Sequence, residues 1–193
     1  MNICVFGASS NRLDPVYFAE AEAMGRLIAQ VGHEIVFGGG ADGLMGACAR
    51  GAKAGGGRVV GIAPRLFNEP GFLLPECDEL ILTDTMSARK EKMMQLSDAC
   101  LALPGGIGTM DEFFEAITLR QLGLLKGTIV LLNTRQFYTP LVSYLEEMAE
   151  QGFMSRNCLE LIRLCESPAE ALEALLRPDE LVGSINRLED YTK

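Results

Sequence analysis

The stretch Pro104-Gly105-Gly106-Ile107-Gly108-Thr109-Met110-Asp111-Glu112 sets three glycines, a hydroxyl and two carboxylates close together. Glycine lets backbone approach a ligand, and a helix opening there aims unpaired amides and its positive dipole end at an anion. The chemistry this suits is the gripping of a phosphate, with an acid one turn further on for whatever the phosphate carries. Two more turns share the pattern, Gly7-Ala8-Ser9-Ser10 and Gly38-Gly39-Gly40. Any one of them reads equally as a tight turn. Three such turns after apolar runs point to one ligand edge.

Two charged positions carry a choice of readings. Thr109 followed by Glu112 has the spacing of a capping box, in which Glu112 only satisfies helix amides. Against this, an acid beside a phosphate turn is repelled by the phosphate, so Glu112 or Asp111 facing a sugar makes better electrostatic sense. Arg89 shares a helical stripe with Met86, Met93 and Leu96, all apolar. A buried arginine without a partner is costly. It either snorkels to water, pairs with an acid such as Asp111, or turns its planar fork to a phosphate or carboxylate. The last reading is preferred, because the helix it sits on opens at the ligand edge.

Short apolar runs at 2–6, 34–37, 58–63, 79–82, 99–103 and 128–132 read as strands of a parallel sheet covered on both faces. Helical patterns lie near 15–31, 43–55, 86–98, 109–123 and 137–151, with a weak strand at 161–165 and a helix at 168–176. The alternation predicts an α/β, Rossmann-like, doubly wound parallel sheet in a single domain over 1–177, where ligands bind beyond the carboxyl ends of the strands. Residues 178–193 form a polar tail expected to be partly mobile. Residues 64–78, with three prolines, make a long connection that reads as a binding loop, a lid or a surface detour.

The familiar nucleotide fingerprints are missing. There is no GxxxxGK[ST], the first turn lacks GxGxxG, and no acid ends the second strand to hold a ribose. A nicotinamide dehydrogenase is therefore disfavoured. His33, the one histidine, opens the second strand away from the glycine edge, so a histidine-based triad is not expected.

With 193 residues, 48% of them hydrophobic, the chain is long enough for one sizeable core. Its net charge of -9 argues against a nucleic-acid partner. The six cysteines show no CxxC spacing and read as buried free thiols of a reducing compartment rather than a metal site or disulfide framework. The start lacks a signal-peptide pattern and no run is apolar enough for a membrane span. A cytoplasmic protein with no membrane partner is the expectation.

The motif at 104–112 matches PGGxGTxxE, the signature of the LONELY GUY family, often labelled "lysine decarboxylase-like". Gly38-Gly39-Gly40-Ala41-Asp42-Gly43-Leu44-Met45-Gly46 resembles its GGGxxGLMG, Met86-Ser87-Ala88-Arg89-Lys90 its MHxRK, and Gln121-Leu122-Gly123 its QLG. The resemblance covers nearly the whole chain in order. It implies a homodimeric phosphoribohydrolase that cleaves cytokinin riboside 5′-monophosphates, and often AMP, to free base and ribose 5-phosphate. It places the catalytic arginine and glutamate on Arg89 and Glu112. The substrate-binding set is Ser9, Gly39, Gly40, Met86, Lys90, Gly105, Gly106, Ile107, Gly108, Thr109, Asp111 and Thr118. Departures are Ser87 for the common histidine, Leu119-Arg120 for Trp-Ala, and Asp111 for glutamate; they bear most on base preference.

Cleavage at an anomeric carbon passes through an oxocarbenium-like state that wants a nearby carboxylate. Glu112 is the candidate, Asp111 a helper, with Arg89 and Lys90 supplying positive charge. Neither a metal nor an organic cofactor is called for, and no lysine is singled out as a pyridoxal Schiff base. The rival of another class is a non-catalytic nucleotide or molybdenum-cofactor carrier of the same fold; a base-exchange enzyme is a third reading.

Overall fold

The computed structural model describes residues 1–177; the tail expected at 178–193 lies outside the described residues. β1 (Asn2–Phe6) is followed by α1 (Pro15–Gln30), β2 (Glu34–Phe37), α2 (Gly43–Ala54) and β3 (Val59–Pro64). A loop with a short 3-10 turn leads to β4 (Glu79–Thr83), α3 (Met86–Gln95), β5 (Ala99–Ala102) and α4 (Ile107–Gln121). β6 (Ile129–Leu132), α5 (Thr139–Glu150), β7 (Ile162–Cys165) and α6 (Pro168–Leu176) complete it. The strands form one sheet, every neighbouring pair parallel, in the order β4-β3-β2-β1-β5-β6-β7. The chain winds outward from β1 to β4, returns to β5 beside β1, and winds outward again. The crevice of such a sheet opens between the two halves, at β1 and β5.

The alternation of side chains along each strand builds two cores. Ile3 and Val5 of β1 face α1, α2 and α6, packing with Met24, Ile28, Leu44 and Leu175. Cys4 and Phe6 face the other way, toward Met93 of α3 and Phe113 of α4, with Tyr138 beside them. The burial of both faces is what the continuous apolar runs require. The two edge strands are less covered: the residues of β4 are half-buried or exposed, and in β7 only Cys165 is buried.

The sequence-derived elements match in kind and order, with shifts at the ends. β3 runs one residue later than expected and takes in Pro64, which pairs only with the edge strand β4. α3 stops at Gln95 rather than near 98, because Asp98 is drawn to the strand layer, its amide bonded to Asn2 O. α4 begins at Ile107, two residues before the expected start, with Gly106 as its N-cap. Thr109 therefore lies inside the helix, and the capping-box reading of Thr109 and Glu112 is overturned. The cysteines are all free, five buried and Cys77 half-buried.

α1 and α2 approach closely enough to exclude side chains at their crossing. A Cβ on Gly25 would fall 1.8 Å from Cys48 O, and one on Gly51 2.1 Å from Glu22 O. The contact is backbone to backbone, so it cannot be relieved by a rotamer change. Gly25→Ala is expected to cost about 3 kcal/mol through overpacking, read as a lowered denaturant midpoint. Gly32→Asn, at a positive φ with open space around it, should stay within about 0.5 kcal/mol.

Candidate functional site

Beyond the carboxyl ends of β1, β2, β3 and β5 lies a cavity of about 520 Å³. The turn after β1 brings Gly7, Ala8 and Ser9 to it, the turn after β2 brings Gly38, Gly40 and Asp42, and α2 brings Met45. The loop after β3 contributes Phe67 and Phe72. α3 contributes Met86 and Arg89, and the start of α4 contributes Gly106, Ile107, Gly108, Thr109 and Glu112.

At α4, no side chain caps the helix start, and the first amide taken up by the helix is that of Met110, bonded to Gly106 O. The amides of Ile107, Gly108 and Thr109 precede it, at the positive end of a helix dipole. A Cβ on Gly106 or Gly108 would meet nothing within 4 Å, so these positions bare the backbone toward the cavity. The two turns are tied together: Ala8 donates its amide to Pro104 O at 3.0 Å and accepts Leu44 N at 2.8 Å. The start of α4 is thereby fixed to the turns after β1 and β2.

The feature that sets the chemistry is the pair Arg89–Glu112. Arg89 Nη1 donates to Glu112 Oε1 at 2.6 Å, and Arg89 Nε donates to Ile62 O at 3.2 Å. Both side chains are less than a tenth exposed. The arginine neither snorkels nor pairs with Asp111; its partner is Glu112, reached from a helix in the other half of the sheet. A Cβ on Gly38 would lie 2.0 Å from Arg89 Nη2, so glycine at the end of β2 makes the space for the guanidinium. Burial pushes the Glu112 carboxyl above the ordinary glutamate range, against the pull of the Arg89 charge and hydrogen bond. Asp111 raises it further and Lys90 lowers it.

Of the sequence-derived site residues, Ser9, Gly40, Met86, Arg89, Gly106, Ile107, Gly108, Thr109 and Glu112 all line the cavity. Five do not. Lys90 and Asp111 bond each other at 2.9–3.0 Å on the flank of α3 and α4, Lys90 also reaching Glu115 at 2.7 Å. Gly105 lies under Thr109, where a Cβ would sit 2.1 Å from Thr109 Oγ1. Gly39, at φ 78, gives its carbonyl to Leu74 N and holds the loop after β3. Thr118 is exposed two turns further along α4, its hydroxyl donating to Phe114 O at 2.8 Å. Periodicity missed Phe67 and Phe72, because their loop has no repeat to place them; the only signal was the unusual length of residues 64–78.

The geometry can be set beside known proteins. The family described as "Possible lysine decarboxylase" matches residues 45–175. The chain is 40% identical over 163 residues to a cytokinin riboside 5′-monophosphate phosphoribohydrolase of Rhodococcoides fascians, covering 82% of this chain and 80% of that protein. A probable enzyme of the same name from Oryza sativa subsp. japonica is 34% identical, covering 90% and 71%. This chain is a member of the LONELY GUY family. Among solved structures, the molybdenum cofactor carrier protein of Chlamydomonas reinhardtii matches with a TM-score of 0.69 at 25% identity, covering 90% of this chain and 94% of that one.

The electrostatics of this family member can be measured without substrate. Carbon-13 NMR of the carboxyls should find Glu112 titrating above the usual glutamate value of about 4.3. Asp111→Asn should lower that titration and Lys90→Met should raise it, since these groups act on Glu112 with opposite sign. A titration that neither substitution moves would show that the flanking charges do not act on the carboxylate.

Proposed function

We propose that this chain hydrolyses the N-glycosidic bond of a purine riboside 5′-monophosphate, cytokinin-type or AMP, to free base and ribose 5-phosphate. The observation that carries this reading is the buried Arg89–Glu112 pair, lying between an anion-binding helix start and an apolar wall. α4 follows β5, whereas the loop bearing Phe67 and Phe72 follows β3, three strands away across β2 and β1. The loop is bonded back to the turn after β2, Ala41 N donating to Phe72 O, so the two sides of the cavity are separated by β1 and β2. Arg89 is anchored between them, at Ile62 of β3 and beside Gly38 at the end of β2. A nucleotide with its phosphate on the amides of α4 then sets its sugar beside the pair and its base toward β3.

In that pose the steps balance simply. The bond from the anomeric carbon to the base nitrogen breaks, and its electrons leave with the base. Positive charge grows on the sugar, where the Glu112 carboxylate stabilises it. Arg89 holds Glu112 Oε1, so Oε2 is the oxygen turned to the sugar. Water bonds to the anomeric carbon, one of its protons passing to the departing base. No metal or organic cofactor enters the scheme.

The carrier reading draws on the likeness to the Chlamydomonas protein. Against it, a carrier that only holds phosphate has no use for a buried carboxylate beside the sugar, and the curated names of the more similar relatives are those of hydrolases. We further propose a cytoplasmic homodimer, supported by the free thiols and by exposed Phe114, Leu122 and Leu124 on and after α4. Light scattering should return twice the monomer mass; a monomer at micromolar concentration would refute that.

Incubation with AMP and with its N6-isopentenyl derivative should release free base and ribose 5-phosphate. Glu112→Gln keeps the size of the side chain and loses its charge. It should lower kcat by about two to four orders of magnitude while nucleotide binding survives. Intact nucleotide co-purifying with a folded but inactive protein would favour the carrier.

A further inference from the structure

Between β6 and α5 the chain makes a costly bend. Arg135 and Gln136 both take positive φ, 52° and 59°, in the left-handed region that residues with side chains avoid. Neighbouring elements hold the bend in place. Asn133, which is buried, donates its amide to Cys165 O at 2.7 Å, and its side-chain amide to Glu166 Oε1 at 2.8 Å and Thr139 Oγ1 at 3.1 Å. Gln136 N returns to Asn133 O at 2.8 Å, Arg135 pairs with Asp14 at the cap of α1, and the Thr134 hydroxyl donates to Glu20. The side-chain oxygen of Asn133 then accepts Tyr138 N at 2.7 Å.

What the bend delivers is one hydroxyl. Tyr138 is 1% exposed, and its Oη donates to Leu103 O at 2.6 Å. Burial pushes the phenol above the ordinary tyrosine range, so it stays protonated and donating. Leu103 leads directly into Pro104-Gly105-Gly106. Its own amide bonds Phe6 O at 2.9 Å, and the next carbonyl, that of Pro104, accepts Ala8 N at 3.0 Å. Little slack follows. The Pro104 ring fixes its φ, a Cβ on Gly105 would lie 2.1 Å from Thr109 Oγ1, and Gly106 is already the N-cap of α4. The setting of the Leu103 peptide therefore carries through to the amides of Ile107, Gly108 and Thr109.

We infer that Tyr138, which does not line the cavity, is a positioning residue for the anion: acting through Leu103, it aims the free amides at the start of α4. This rests on the phosphate-binding role given to that helix start under the proposed function. The strained bend is the device that brings the hydroxyl to the turn.

Tyr138→Phe removes the hydroxyl, keeps the ring and leaves Leu103 O without its donor. By calorimetry, affinity for ribose 5-phosphate should fall about five- to tenfold. Adenosine, which has no phosphate, should bind the variant as it binds the wild type. With AMP, KM should rise by a similar factor while kcat stays within about twofold, because the grip acts equally before and during bond breaking. Gln136→Gly, added to Tyr138→Phe, suits the positive φ and should raise the denaturant midpoint without restoring affinity. Ile28→Val, in the core beneath α1, should lower stability and leave affinity alone. The proposal is overturned if Tyr138→Phe spares ribose 5-phosphate affinity or weakens adenosine equally. It is also overturned if affinity returns with stability in the double variant, or falls as far in Ile28→Val. If the wild type binds ribose 5-phosphate with this Tyr138 dependence and releases no base from AMP, the positioning role stands and the hydrolase reading fails. If AMP is turned over with a KM indifferent to Tyr138→Phe, the hydrolase stands and the positioning role fails.

Discussion

A carboxylate and a guanidinium taken out of water together constrain almost everything else in this molecule. Desolvating two charges costs several kcal/mol for each, and the attraction between them recovers that only if geometry and hydrogen bonding are good. The Arg89–Glu112 contact at 2.6 Å meets the condition, with Ile62 O engaging a further guanidinium hydrogen. Gly38 must lack a side chain to admit the fork. α3 must bring Arg89 over the ends of β2 and β3, and α4 must bring Glu112 from beyond β5. The pair therefore spans the two halves of a doubly wound sheet, at the place where such sheets hold ligands.

The same pair explains why the site separates into zones. The amides at the start of α4 offer fixed partial charge to an anion and use no lysine to do so. In a chain of net charge -9, local backbone dipoles are the economical way to hold a phosphate. Glu112 lies one turn into the same helix and faces the same cavity. Burial then sets its proton affinity, with Asp111 and Lys90 trimming it from outside the cavity.

The fold was legible because continuous apolar runs and helical stripes record burial directly. Arg89 was legible for the complementary reason: a charge on an apolar stripe demands a partner. Which carboxylate its fork meets was not legible, since Asp111 and Glu112 differ by one position in sequence and by about a hundred degrees around the helix. The helix start was misplaced because Gly106 caps α4 through its backbone alone, which leaves no side-chain signature. Lys90 and Thr118 sit on the right helices but point away from the cavity, a distinction of rotation that motif matching does not carry. Phe67 and Phe72 were out of reach, since aromatic residues in an aperiodic loop say nothing of what they face until backbone bonds place them.

Those backbone bonds have a bearing on descent. The loop after β3 is fastened through main-chain groups of Gly39, Ala41, Phe72 and Leu74, and such fastenings are indifferent to the side chains that decorate them. The open start of α4 and the buried pair are carried by other elements. Changes in the loop's side chains can therefore reshape one wall of the cavity while the start of α4 and the Arg89–Glu112 pair keep their places. The wall most open to change is thus the one whose attachment asks least of its side chains.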